Sequence, residues 1–273
     1  MPELPEVETV RTGLARSWIG KRIDGVELRR EGLRFPFPEG LEERLTGRVI
    51  KQIRRRAKYL LIDMDNGDIL LSHLGMSGKW ILDSSDSEGK HDHVVIYLDD
   101  GSMSVYNDPR RFGVLDIFRG ESHKLLDHLG PEPLEDDFTC DWLLENLKKK
   151  KRNIKALLLD QSFLSGLGNI YVDESLWASN IHPNSISCFI PKRKVIQLHN
   201  NIRIILSESI RQLGTTFINF TFLNGQSGNY SNELKIFGNQ GKPCEKCLNK
   251  VKKIKVAGRG THVCNKCQKK FKS

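Results

Sequence analysis

Three groups near the start of the chain could do chemistry together: Pro2, Glu3 and Glu6 in Met1-Pro2-Glu3-Leu4-Pro5-Glu6-Val7-Glu8. A proline directly after the initiator methionine becomes the N-terminus once that methionine is removed. Its nitrogen is then a secondary amine with an α-amino pKa of about 8, against about 10.4 for lysine. Part of it is unprotonated near neutral pH and able to attack an electrophilic carbon. A neighbouring carboxyl can move a proton if its surroundings bring its pKa towards neutrality. The same residues also suit an ordinary helix start, with Pro5 in the first turn and Glu3, Glu6 and Glu8 at the positive end of the dipole. The first eight residues alone favour the helix start, and it is the rest of the chain that turns the reading towards chemistry.

A second constellation lies at the other end. Of six cysteines, Cys140 and Cys188 stand alone, whereas Cys244-x2-Cys247 and Cys264-x2-Cys267 form two knuckles sixteen residues apart. Four thiolates at this spacing suit one tetrahedral zinc and leave no coordination position for water, so the ion is expected to be structural. The flanking chain is strongly basic. Residues 242–273 hold eleven Lys/Arg against Glu245 alone, and since the whole chain is +9, residues 1–241 come to −1. Charge focused in this way fits a polyanion, most simply nucleic acid. There is no apolar run of membrane-spanning length and no signal-peptide pattern, so the expected setting is cytoplasmic, without a membrane partner.

The elements that must position these groups can be read in order. Leu4, Val7, Val10, Leu14 and Trp18 recur at helical spacing, which predicts a helix over 3–17. Short strands are expected at 23–30, 49–54, 59–63, 69–74, 79–82, 93–98, 103–106 and 114–118, with Asn66-Gly67 and Asp100-Gly101 as hairpin turns and a polar loop at 84–90. So many short strands imply a sandwich or barrel. Gly130-Pro131-Glu132-Pro133 then punctuates the chain. Helices are expected at 142–150, 154–161, 170–179 and 191–213, the last with Val195, Leu198, Ile202, Ile205 and Leu213 on one face. Ser165-Gly166-Leu167-Gly168-Asn169 makes a glycine turn into a helix N-terminus, which suits a phosphate. The fold class is therefore α+β and multidomain: an N-terminal β-sandwich with a leading helix (1–131), a helical domain (132–238) and a C-terminal zinc β-hairpin (239–273). A long loop at about 215–232 falls within the second.

In this order the features resemble the bacterial formamidopyrimidine-DNA glycosylase family, and the resemblance covers the whole chain. Its carriers are Pro2-Glu3-Leu4-Pro5-Glu6-Val7-Glu8-Thr9, Arg56-Ala57-Lys58-Tyr59-Leu60, His73-Leu74-Gly75-Met76-Ser77-Gly78 and Lys90-His91-Asp92-His93. Asp108-Pro109-Arg110-Arg111-Phe112-Gly113, Gly166-Leu167-Gly168-Asn169-Ile170-Tyr171 and Val256-Ala257-Gly258-Arg259-Gly260-Thr261-His262 between the knuckles complete the set.

The resemblance implies a bifunctional DNA glycosylase and abasic-site lyase of base-excision repair. It would act on oxidised purines in duplex DNA, as a monomer, with a helix–two-turn–helix in the second domain. In it Pro2 is the nucleophile, Glu3 the general acid/base and Glu6 a supporting carboxylate. Lys58 is the proton donor for β-elimination, and Arg259 assists δ-elimination from the hairpin tip. Met76, Arg110 and Phe112 fill the space left by a flipped nucleotide. Asn169, His91, Lys151 and Lys155 stand where the family meets DNA, Asn169 as a phosphate ligand. The chain departs from the family at 213–220, where Ile218 and Phe220 replace the usual arginine and tyrosine ahead of the loop that closes over the flipped base. Lesion preference is the expectation this touches. Two rivals differ in class: the sister endonuclease VIII group, which acts on oxidised pyrimidines, and a non-catalytic zinc-ribbon nucleic-acid-binding protein.

Overall fold

The computed structural model describes residues 2–82, 89–215 and 229–272. The expected loop at 84–90 and the lesion-capping stretch with Ile218 and Phe220 therefore lie wholly or largely outside the described residues. Two compact units emerge. One runs to Asp127 and includes Leu213–Thr215 and Asn229; the other comprises His128–Gln212 and the chain from Tyr230 onward.

The first unit begins with helix α1 (Leu4–Trp18), whose Leu4, Val7, Val10, Leu14 and Trp18 are all buried. The apolar stripe read from the sequence is thus the face that packs. Eight strands follow, β1 (Ile23–Leu28), β2 (Ile50–Arg56), β3 (Tyr59–Met64), β4 (Asp68–His73), β5 (Lys79–Ile81), β6 (Asp92–Leu98), β7 (Met103–Asn107) and β8 (Val114–Arg119), each within three residues of its expected bounds at either end. They form two antiparallel four-stranded sheets, ordered β1-β6-β7-β5 and β2-β3-β4-β8. One core joins the inner faces of both, with Val94, Ile96, Tyr106 and Trp80 from the first, Ile53, Leu60, Ile62 and Leu115 from the second, and α1 alongside. A β-sandwich results because alternate strand residues meet across the layer. Gly67 and Gly101 adopt positive φ in their turns. Helix α2 (Leu41–Leu45) was not legible, since five residues are too few for periodicity; it buries Leu41 and Leu45, one turn apart.

The second unit holds α3 (Cys140–Lys148), α4 (Ile154–Leu158), α5 (Asn169–Ala178) and α6 (Lys192–Arg211). On α6 the buried line is Val195, Leu198, Ile202 and Leu206. The expected Leu213 lies beyond the helix end at φ +63 and is exposed. The chain closes with hairpin β9 (Lys252–Val256) and β10 (Arg259–Val263), turned at Ala257 and Gly258, both at positive φ. That is the backbone a two-residue primed turn requires.

Candidate active site and zinc centre

The candidate residues of the first unit gather at one end of the β2-β3-β4-β8 sheet, and register is the reason. Arg56 pairs with Tyr59 across the β2–β3 turn, Tyr59 with His73, and His73 with Val114. Lys58 in that turn, Met76 just after β4, and Arg110 and Phe112 just before β8 are therefore brought to one edge by strand pairing alone. Ala57 takes φ +52 to make the turn, and Lys58 beside it is 6% exposed. The basic run before it is sorted by partners: Arg54 forms a two-pronged ion pair with Asp63, and Arg55 binds Glu8 at 3.0 Å and the Ala57 carbonyl at 3.1 Å. The Glu8–Arg55 pair ties the first turns of α1, and so Pro2 and Glu3, to the strand that leads into the Lys58 turn.

Pro2, Glu3 and Glu6 are all buried. Glu3 is the N-cap of α1, in a capping box with Glu6. Glu6 reaches further. One carboxylate oxygen accepts the Glu3 N–H at 3.0 Å, while the other accepts the Thr215 N–H at 2.8 Å and its hydroxyl at 2.9 Å. Gly214, at φ +77, lets that backbone pass; a Cβ there would sit 2.9 Å from the Glu6 carboxylate. Glu6 thus fixes the helix start and Thr215 together, a link across 209 residues that no local pattern announces. The helix-start reading of this residue holds, and its carboxylate is spent on the Glu3 and Thr215 groups.

His73 is a further residue of this edge that sequence reasoning did not single out. Its Nδ1 accepts the Gly75 N–H at 3.1 Å, leaving the ring proton on Nε2, and the ring lies 4.7 Å from that of Tyr59. Burial, then the Lys58 and Arg34 charges, pull its pKa down to about 4, so it is a neutral donor at physiological pH. Its place in the His73–Gly78 run was the available signal. His91 is half-buried beside His93, ring centres 6.5 Å apart, and Lys151 is exposed just after α3.

In the second unit α5 is the spine. Asn169, Asp173 and Trp177 are four residues apart, hence on one face, and each meets the C-terminal hairpin segment. The Asn169 amide donates to the Gly260 carbonyl at 2.9 Å, which brings it beside exposed Arg259. Asp173 accepts the His262 N–H at 2.9 Å, and the Trp177 indole donates to the Cys244 sulfur at 3.4 Å. Lys246 lies 4.1 Å over the Trp177 ring and donates to the Trp177 and Ala178 carbonyls, a cation at a helix C-terminus. The sulfurs of Cys244, Cys247, Cys264 and Cys267 all lie within 4.8 Å of one another. Cys247–Cys264 and Cys244–Cys267 are 3.4 and 3.9 Å apart, bracketing the edge of about 3.8 Å that a tetrahedron with Zn–S near 2.3 Å demands.

Residues 1–115 match the formamidopyrimidine-DNA glycosylase N-terminal domain, 129–220 the formamidopyrimidine-DNA glycosylase H2TH domain, and 241–270 a zinc finger found in FPG and IleRS. The formamidopyrimidine-DNA glycosylase of Lactobacillus helveticus is 45% identical over the full length of both chains, and that of Ruegeria pomeroyi is 42% identical over 98% of this chain and all of its own. The chain belongs to the formamidopyrimidine-DNA glycosylase family. Among solved structures, wild-type Lactococcus lactis Fpg in complex with DNA containing N7-benzyl-Fapy-dG is similar at TM-score 0.92 and 38% identity, covering 98% of this chain and 100% of that one.

Within this glycosylase fold the four thiolates hold one structural zinc, as the sulfur spacing fits. Chelating it, or replacing Cys247 by Ala, is expected to weaken DNA binding by at least roughly a hundredfold at moderate salt, because the zinc orders the strongly basic segment 242–273. Circular dichroism should meanwhile retain the strand signal of the sandwich.

One expectation of the glycosylase reading fails on geometry. Lys155 does not present its ammonium to DNA: it is fully buried and bonds Asp173, also fully buried, at 2.5 Å. Helix α4 places it inside the core, so it orients the carboxylate that holds β10. Removing one member of such a pair strands a buried charge. Lys155→Met is expected to cost about 3–5 kcal/mol in urea denaturation, and Lys155→Met with Asp173→Asn, which keeps an acceptor for the His262 N–H, should recover part of that loss.

Proposed function

We propose that this glycosylase removes oxidised purines, 8-oxoguanine and formamidopyrimidines, from duplex DNA through the Pro2 nitrogen and then cuts the strand. The observation that carries the reading is the single sheet edge bearing Lys58, Met76, Arg110 and Phe112, to which the Glu8–Arg55 ion pair ties the Pro2–Glu3 end of α1.

With Met1 removed, the unprotonated Pro2 amine attacks C1′ of the damaged nucleotide, and the C1′–N bond to the base breaks with its electrons leaving on the base, which takes up the proton that the Pro2 nitrogen gives up. Glu3 protonates the deoxyribose ring oxygen, and opening of the ring yields an iminium between Pro2 and C1′. That cation draws electrons from the C2′–H bond. Loss of the C2′ proton expels the 3′ phosphate, for which Lys58 is the proton donor, and a second elimination assisted by Arg259 expels the 5′ phosphate. Glu6 keeps the helix start in place through its bond to the Glu3 N–H. Met76, Arg110 and Phe112 occupy the stack vacated by the flipped nucleotide, Arg110 facing the orphaned base. The Arg110 guanidinium already lies 4.7 Å from the Phe112 ring centre, and all three side chains are exposed. His91 and Lys151 meet phosphates of the same duplex, and Asn169 holds a phosphate at the start of α5. The protein works as a monomer in the cytoplasm; among the described residues no helix is long and apolar enough to cross a membrane.

Borohydride trapping tests the reading, since it reduces an iminium to a stable amine. A covalent adduct with an 8-oxoguanine duplex, mapped to Pro2, is the expected result. An adduct only with an oxidised-pyrimidine duplex moves the reading to the endonuclease VIII group. DNA binding with no adduct on either removes the enzyme reading.

A further inference from the structure

We propose that Asp108 is a positioning residue that locks the Met76 loop and the Arg110–Phe112 loop into one preformed wedge, with the Ser77 hydroxyl as the bridge. This rests on the reading in which those three side chains fill the vacated stack, and it goes beyond that reading by saying what holds them.

Asp108 is fully buried at the end of β7. One carboxylate oxygen accepts the Ser77 hydroxyl at 2.6 Å and the Arg110 N–H at 3.3 Å; that same N–H lies 3.2 Å from the Ser77 oxygen. The other oxygen accepts the Gly113 N–H at 2.8 Å. Both sides of Phe112 are thus tied to one carboxylate, and the residue next to Met76 is tied to it as well. The backbone of Asp108 extends the link: its N–H donates to the His91 carbonyl at 3.0 Å, and its carbonyl accepts from His93 Nε2 at 2.9 Å.

The two loops also touch directly. Gly75 sits at φ +61, and a Cβ there would collide with the Phe112 backbone, so the glycine permits the close approach that Ser77 and Asp108 then fasten. Above this fastening Met76, Arg110 and Phe112 remain exposed. Apolar and cationic side chains held out on an anchored backbone are ordered on folding rather than on insertion, which is how preorganisation speeds and strengthens binding. A carboxylate suits the task because it accepts at both ends. In Asp108→Asn one end becomes a donor, and either the Arg110 or the Gly113 N–H then faces it donor to donor.

The test follows insertion separately from binding. A duplex carries 8-oxoguanine opposite cytosine, with 2-aminopurine next to that cytosine, so unstacking by the wedge raises fluorescence. Ser77→Ala is expected to bind this duplex within about threefold of wild type while the fluorescence phase and single-turnover excision slow roughly tenfold, the effect of one charge-assisted hydrogen bond. Asp108→Asn should slow both further, and Ser77→Thr, which keeps the hydroxyl, should restore them. Wild-type insertion and excision in a folded Ser77→Ala protein, or a loss confined to affinity, overturns the proposal, and this holds even if Asp108→Asn fails to fold. A wild-type protein that binds but never excises speaks against the glycosylase reading instead.

Discussion

Blocking the Pro2 nitrogen, by retaining Met1 or adding an N-terminal tag, is expected to abolish the borohydride-trapped adduct and lower excision roughly a thousandfold or more, with DNA affinity within about threefold. In the proposed reaction the amine acts by being held beside C1′, and an acyl cap on it removes the lone pair that attacks. The comparison is between capped and processed protein from one preparation, checked by mass spectrometry and trapped on the same 8-oxoguanine duplex. Normal excision by capped protein would reassign the nucleophile.

Glu3→Gln is expected to slow base excision by roughly 10²- to 10⁴-fold, the range of general acid–base catalysis, again with little change in lesion-DNA affinity. Glutamine keeps an acceptor for the helix N-terminus, so the capping arrangement with Glu6 persists and α1 stays seated. What it loses is the transferable proton. Single-turnover excision against equilibrium binding separates the two roles, and a fall in affinity equal to the fall in rate would make Glu3 structural. Glu6→Gln offers a useful contrast. It weakens the anchor on the Glu3 and Thr215 N–H groups without removing the proton carrier, so a smaller rate loss is expected.

The zinc knuckles show how far residue types carry. A Cys-x2-Cys pair repeated across a hairpin-length insert admits few other structures, and the sulfurs indeed lie within 4.8 Å of one another. The strands were equally plain, because alternation and Gly-containing turns are local signals and the sheets answer to them strand by strand. Lys155 shows the limit. A lysine near other cations in a basic protein reads as a phosphate contact, and only the pairing with Asp173, eighteen residues on, reveals a buried clamp instead. Nothing in its immediate neighbourhood carries that information.

Asp108 and Glu6 illustrate the same boundary from the side of function. Both stand in conspicuous runs, yet what each does depends on where other segments arrive: Ser77 for one, Thr215 for the other. The sequence by itself determined the strands and the longer helices, the turns, the zinc ligands and the candidate chemistry of Pro2 and Glu3, since these follow from spacing and side-chain type. Tertiary structure alone decided which candidates share a sheet edge, which basic residues are spent on internal partners, and that α5 carries the hairpin through Asn169, Asp173 and Trp177. The physical reason is that hydrogen bonds and ion pairs between distant segments are fixed by strand register and core packing, and these depend on the whole chain at once.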